Sequence, residues 1–89
     1  MFIKPSTRQG KRYMATFKDG TIIHFGLKGG STYIDEGDKQ KRSAYIARHR
    51  VNEDFNNPKT AGSLSRHILW GDSTSLSKNI SAFKSKFKV

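Results

Sequence analysis

The chain has 89 residues and no cysteine, with seventeen Lys and Arg against seven Asp and Glu, a formal net charge of +10. That length allows one domain with a thin core, and the lack of cysteine excludes disulfides, thiolate metal sites and cysteine nucleophiles. The charge attracts nucleic acid, anionic membrane surfaces or acidic proteins, and it opposes self-association.

Residues 1–11 read as an extended basic arm. Phe2 and Ile3 give it an apolar tip, Lys4, Arg8 and Lys11 give it charge, and Pro5 and Gly10 interrupt any periodicity. A frayed terminus is the alternative reading of the same residues. Residues 12–89 read as a single small α+β domain, an N-terminal β-hairpin followed by two to three α-helices.

The hairpin is predicted from Tyr13–Phe17 and Thr21–Phe25 flanking Asp19-Gly20. Asp-Gly between two such runs favours a two-residue type I′ turn, which needs positive φ at both residues. That turn sets Phe17 opposite Ile22 and Met14 opposite Phe25. Residues 26–38 read as loop, broken by Gly26, Gly29, Gly30 and Gly37. Lys28-Gly29-Gly30-Ser31 lacks the spacing of a phosphate-binding loop and reads as a glycine turn.

Residues 38–51 are predicted as a cationic helix with Asp38 as its N-cap. Ala44, Ala47 and Val51 form one row on it, Tyr45 and Arg48 a second, and Arg42, Ile46 and His49 a third. A second helix is predicted over 58–70, with Asn57 capping, Pro58 at the first position and Gly71 past the end. Its buried stripe is Ala61, Leu64, Ser65, Ile68 and Leu69. Gly62 within it implies close approach by another backbone element. A third helix, 75–87, is capped by Thr74 or Ser75 and carries the seam Leu76, Ile80, Phe83 and Phe87. No apolar run reaches the ~18 residues of a membrane-spanning helix, and Met1 to Gln9 lacks the apolar segment of a secretory signal.

No catalytic set assembles from these residues. His24, His49 and His67 lie on three different elements without metal-ligand spacing, so no metal or cofactor is expected. Asp19 and Asp38 are claimed by a turn and a cap, and Glu53 and Asp54 adjoin a basic segment. Basic residues interleave with aromatics twice, at Arg8 to Tyr13 and across Lys39 to Arg50 around Tyr45. Such a pattern can track phosphates while a ring stacks on a base. A solvated basic face, or one that meets acidic protein, explains it equally.

The block Tyr45-Ile46-Ala47-Arg48-His49-Arg50, continued by Glu53-Asp54-Phe55, Pro58, Thr60-Ala61-Gly62, Ser65-Arg66 and Ile68-Leu69-Trp70, resembles a family of small basic proteins of large nucleocytoplasmic DNA viruses. Asp19-Gly20-Thr21-Ile22 and His24-Phe25-Gly26 are similar to the same family, so the likeness spans roughly residues 12–88. It implies no catalytic residue. It implies a minor capsid protein of the virion, made in the host cytoplasm, that cements major capsid proteins and contacts other minor ones beneath the shell. A non-specific contact with DNA is the alternative, and an anionic inner membrane surface is a further neighbour. No small-molecule substrate is expected. Arg12, Arg42, Arg48, Arg50 and Arg66 are the candidate partner-contacting cations, because Arg binds carboxylates bidentately. Phe55 and Trp70 are the candidate anchors, with ordinary core packing the equal alternative.

Overall fold

The computed structural model describes residues 1–89. The fold is α+β. A three-stranded antiparallel sheet of β1 (Phe2–Pro5), β2 (Lys11–Thr16) and β3 (Ile22–Leu27) precedes the helices, in the order β1-β2-β3. The helices are α1 (Tyr33–Glu36), α2 (Lys39–His49), α3 (Ala61–Leu64) and α4 (Leu76–Phe87); α3 runs directly into a π-helical turn, Ser65–Leu69.

The first strand overturns the expected arm. Ile3 pairs with Ala15 and Pro5 with Tyr13, so the start of the chain is built into the sheet. Inward and outward positions alternate as in any strand. Met1 is buried in the core and Ile3 packs against it, while Phe2 faces solvent. Pro5 is tolerated because β1 is an edge strand and proline donates nothing to a ladder. Only residues 6–10, between β1 and β2, remain a connection.

The hairpin forms where expected, but one register step away. Thr16 pairs with Ile22 and Tyr13 with Phe25, and the Phe17 N–H donates to the Thr21 carbonyl at 2.9 Å. The loop therefore has three residues, Lys18-Asp19-Gly20. Gly20 has φ 89°, whereas Asp19 has no positive φ, so the type I′ turn is excluded. A three-residue loop closed by a left-handed glycine is the next most common hairpin connection. The shift matters because side chains alternate: Tyr13, Ala15, Phe17, Ile23 and Phe25 now share the core face.

Part of the expected loop 26–38 is ordered as well. Leu27 ends β3, and α1 is a single helical turn closed by Gly37 (φ 67°), whose N–H donates to the Tyr33 carbonyl at 2.8 Å. The next helix, α2, starts as the sequence predicts. One Asp38 carboxylate oxygen accepts from the Gln40 and Lys41 N–H groups at 3.0 and 3.1 Å. No residue of α2 is fully buried. The row that turns inward is Arg42, Ile46 and His49, with Tyr45 beside it, and Ala44, Ala47 and Val51 face solvent.

The second predicted helix begins three residues late. Asn57 accepts from the Lys59 N–H at 3.0 Å in a local turn, and Thr60 is the cap, its Oγ1 accepting from the Ser63 N–H at 3.1 Å. Two residues able to cap stand three apart, and the later one wins because Thr60 keeps extended backbone angles. Leu64, Ile68 and Leu69 are buried as expected, but Ser63 is buried where Ala61 is exposed. The π turn is marked by the Trp70 N–H donating to the Ser65 carbonyl at 3.0 Å, one residue beyond α-helical spacing. What approaches Gly62 is a side chain rather than a backbone: a Cβ there would lie 2.6 Å from a Glu53 carboxylate oxygen. At α4 the expected seam is present, with Ser75 as its cap and Phe83 fully buried.

The core is the inner sheet face (Met1, Ala15, Phe17, Phe25) closed by Leu64, Ile68, Leu69 and Phe83. One buried polar residue ties the two layers of helix together. Asn79 donates through Nδ2 to the carbonyls of Ile68 (2.9 Å) and Ser73 (2.7 Å) and accepts from the Ser73 N–H at 3.1 Å. Gly71 is required beside it, because a Cβ there would meet the His67 carbonyl at 2.3 Å.

Candidate docking surface

The field around a basic chain comes from the cations that its own acids leave unmatched. Here all seven acids are engaged within the fold. Arg12 grips Asp35 with two guanidinium nitrogens at 2.6 and 2.8 Å, and Thr32 donates to the same carboxylate at 2.6 Å. The Arg12 hydrogen bonds, helped by Thr32, hold the Asp35 carboxyl down at about 2 and push the Arg12 guanidinium up. Lys41 pairs with Glu36 at 2.9 Å, Arg42 with Asp72 at 2.6 Å, and Lys59 with Asp19. His49 lies 3.2 Å from Glu53. Asp38 caps α2, and Asp54 accepts from the Asn56 N–H at 2.9 Å. Only four of the seventeen Lys and Arg are in ion pairs, namely Arg12, Lys41, Arg42 and Lys59, which leaves thirteen without a carboxylate.

The seven candidate contact residues divide sharply. Arg12, Arg42 and Arg66 are each bonded within their own fold. Arg42 Nε donates to the carbonyls of Trp70 (3.1 Å) and Gly71 (2.8 Å), and Arg66 donates to the same Trp70 carbonyl at 3.1 Å. Those carbonyls are left free where the π turn ends, and a guanidinium supplies the donors that a further helical turn would have. Burial, reinforced by the Arg42 charge, lowers the Arg66 pKa. Phe55 is half-buried; its ring meets His67 edge-on and its carbonyl accepts from Ser63 Oγ and His67 Nε2. Phe55 thus packs internally, as the alternative reading has it. Arg48 and Arg50 are exposed, and neither side chain has a hydrogen bond or ion pair in the fold.

Trp70 has a double role. Its ring stacks almost parallel on Tyr45, with centroids 4.5 Å apart and an angle of 6°, and Tyr45 stacks in turn on His49 at 4.1 Å. The ladder His49–Tyr45–Trp70 fastens α2 to the π turn. It also forms one side of a groove of about 390 Å³ whose other lining includes Leu27, Ser31 and Arg48. Burial, and then the nearby Glu53 charge, push the Tyr45 hydroxyl up to about 12, so it stays neutral. The sequence marks Tyr45 and His49 as neighbours one helical turn apart. It carries no signal that Trp70 joins them, because that contact depends on how the π turn aims the ring.

The histidines stay apart. His24 lies 2.7 Å from Ser6 Oγ on the sheet, His49 ends the ladder, and His67 donates to the Phe55 carbonyl at 2.8 Å. No helix is long and apolar enough to cross a membrane.

Sheet, helices and surface together define a small basic α+β domain whose acids are all spent on its own fold. The chain belongs to a family of unknown function, DUF5754, whose model matches residues 2–49, just over half of the chain. The match covers the sheet, α1 and α2, and stops before α3. No curated protein and no solved structure matches the chain.

Proposed function

We propose that this protein is a non-catalytic structural component that docks by charge on acidic protein surfaces. In the setting implied by its resemblance, it is a minor capsid protein that cements major capsid proteins, and neighbouring minor ones, on the inner side of a virion shell. One observation carries the reading: thirteen cations have no carboxylate partner while every acid is engaged. An exposed ion pair contributes at most about 1 kcal/mol. Firm docking by such a surface therefore takes many pairs at once, which suits repeated contacts within an assembly. Complementary charge also speeds encounter and sets orientation. The resemblance block supports the reading in a particular way. Tyr45 and Trp70 from that block, with Arg42 from α2, tie α2 to the end of the π turn, so the cations on α2 are held in place against it.

A second reading, non-specific binding to DNA, draws on the same charge. Two experiments separate them. Virions opened to release their genome retain the protein with the shell on the first reading and lose it with the DNA on the second. In solution, DNA binding that falls by about 0.9 log units per contacted phosphate for each tenfold rise in salt supports the second.

A further inference from the structure

We infer that the groove between the end of β3 and α2 is the seat of an extended acidic segment of the partner protein, held by Arg48. This rests on the protein-docking reading above and names its site. The groove lies beside the end of β3, an edge strand of the sheet. An edge strand leaves a row of backbone groups unpaired, and an extended peptide can pair with them.

The chemistry of the walls selects the occupant. None of the lining residues is acidic. Arg48 stands on the α2 wall with no partner in the fold, and a guanidinium binds a carboxylate through two parallel hydrogen bonds. Leu27, 69% exposed, lines the same groove, with Leu69 and Trp70 completing its apolar lining. A carboxylate next to an apolar side chain matches that arrangement, and Ser31 adds a hydroxyl for the backbone. A nucleic-acid strand matches it less well. Both faces of Tyr45 are already covered, by His49 and Trp70, so that ring offers no surface to a base. A strand of phosphates also asks for a row of cations, and the lining has one.

The test uses the full chain with two probes: a short peptide alternating glutamate with leucine and valine, and a thymidine oligonucleotide of matched charge. Calorimetry measures binding. Emission from Trp70, the only tryptophan, reports the groove. The expected result is saturable peptide binding that moves the Trp70 emission. Arg48→Ala weakens it at least about tenfold, the loss that removing one charge-assisted contact produces, and Leu27→Asp weakens it as much by setting a like charge against the glutamates of the peptide. Lys78→Ala, on the exposed face of α4, leaves it within about twofold, the change expected for one rim charge. Peptide binding that ignores Arg48 and Leu27 overturns the groove as the seat and leaves docking by charge standing. Oligonucleotide binding that displaces the peptide and depends on Arg48 overturns the peptide as occupant. Failure of both probes to bind overturns the docking reading as well.

Discussion

Asn79→Ala removes the tie between α4 and the segment 68–73. Asn79 is 3% exposed and makes three hydrogen bonds, two to carbonyls and one from an N–H. Each contributes about 1 kcal/mol net, and the groups left behind are themselves out of water, which adds to the loss. The total is about 3–4 kcal/mol. A domain of this length has about 4–13 kcal/mol to begin with, at roughly 0.05–0.15 kcal/mol per residue. Urea unfolding followed by circular dichroism should therefore show the midpoint falling by about 2 M, for a slope of about 1.5 kcal/mol per M. Asn79→Asp is expected to be no better, because it keeps the acceptor but turns a carboxylate oxygen toward two carbonyls. Asn79→Leu supplies volume without bonds and should stay destabilised. A loss below about 1 kcal/mol for Asn79→Ala, or full recovery with Leu, would show that shape rather than hydrogen bonding decides this position.

Three further outcomes follow from the fold. Deleting residues 1–5 should unfold the domain or lower its melting temperature by more than about 10 °C, because β1 pairs with β2 and Met1 fills the core; a mobile arm would be lost without effect. Arg42→Ala should cost about 2–3 kcal/mol in urea unfolding, chiefly through its bonds to the Trp70 and Gly71 carbonyls. The Asp72 contribution is small because that carboxylate is 96% exposed, and Arg42→Lys should recover less than half. Stability should also fall with acid in two separate windows. Burial, aided by Arg66 and Lys86 and opposed by the Phe55 carbonyl and Asp72, lowers the His67 pKa below its ordinary 6.5. The unfolded chain then takes up the proton first, so this contribution is complete above pH 6.5 and is lost as pH falls below it. His67→Gln, which keeps an N–H donor for Phe55, should remove that step. The second window lies below the ordinary 3.8 of Asp35, as pH approaches about 2, where protonation releases Arg12. Unfolding measured from pH 8 to pH 2 checks both.

Much of this architecture is legible in the chain because it rests on local signals. Asp38 and Ser75 cap the helices that the sequence assigns to them, and the 4-3-4 spacing of Leu76, Ile80, Phe83 and Phe87 marks the inner side of α4. The misses come from non-local causes. Phe2–Pro5 is too short and too interrupted to show alternation, and only pairing with β2 makes it a strand. Asp19-Gly20 permits two turn geometries, and the core selects the one that puts Ile23 and Phe25 on the same side as Ala15 and Phe17. At the surface, composition shows that cations are in excess but not which ones. Arg12, Arg42 and Arg66 look the same in sequence as Arg48 and Arg50, yet the first three bond within the fold. Asn79, the central polar contact, gives no sequence signal, since its partners are backbone carbonyls from another segment.

The central claim is that unneutralised charge on a small folded domain docks this protein onto acidic protein. Under the capsid role proposed for it, the most direct measurement is binding of the purified chain to capsid shells of a large nucleocytoplasmic DNA virus, emptied of nucleic acid, over a range of salt. The expected result is saturable binding, many copies per shell, that weakens steadily as salt rises. A chain that stays free of such shells at every salt concentration, while still binding DNA, would contradict it.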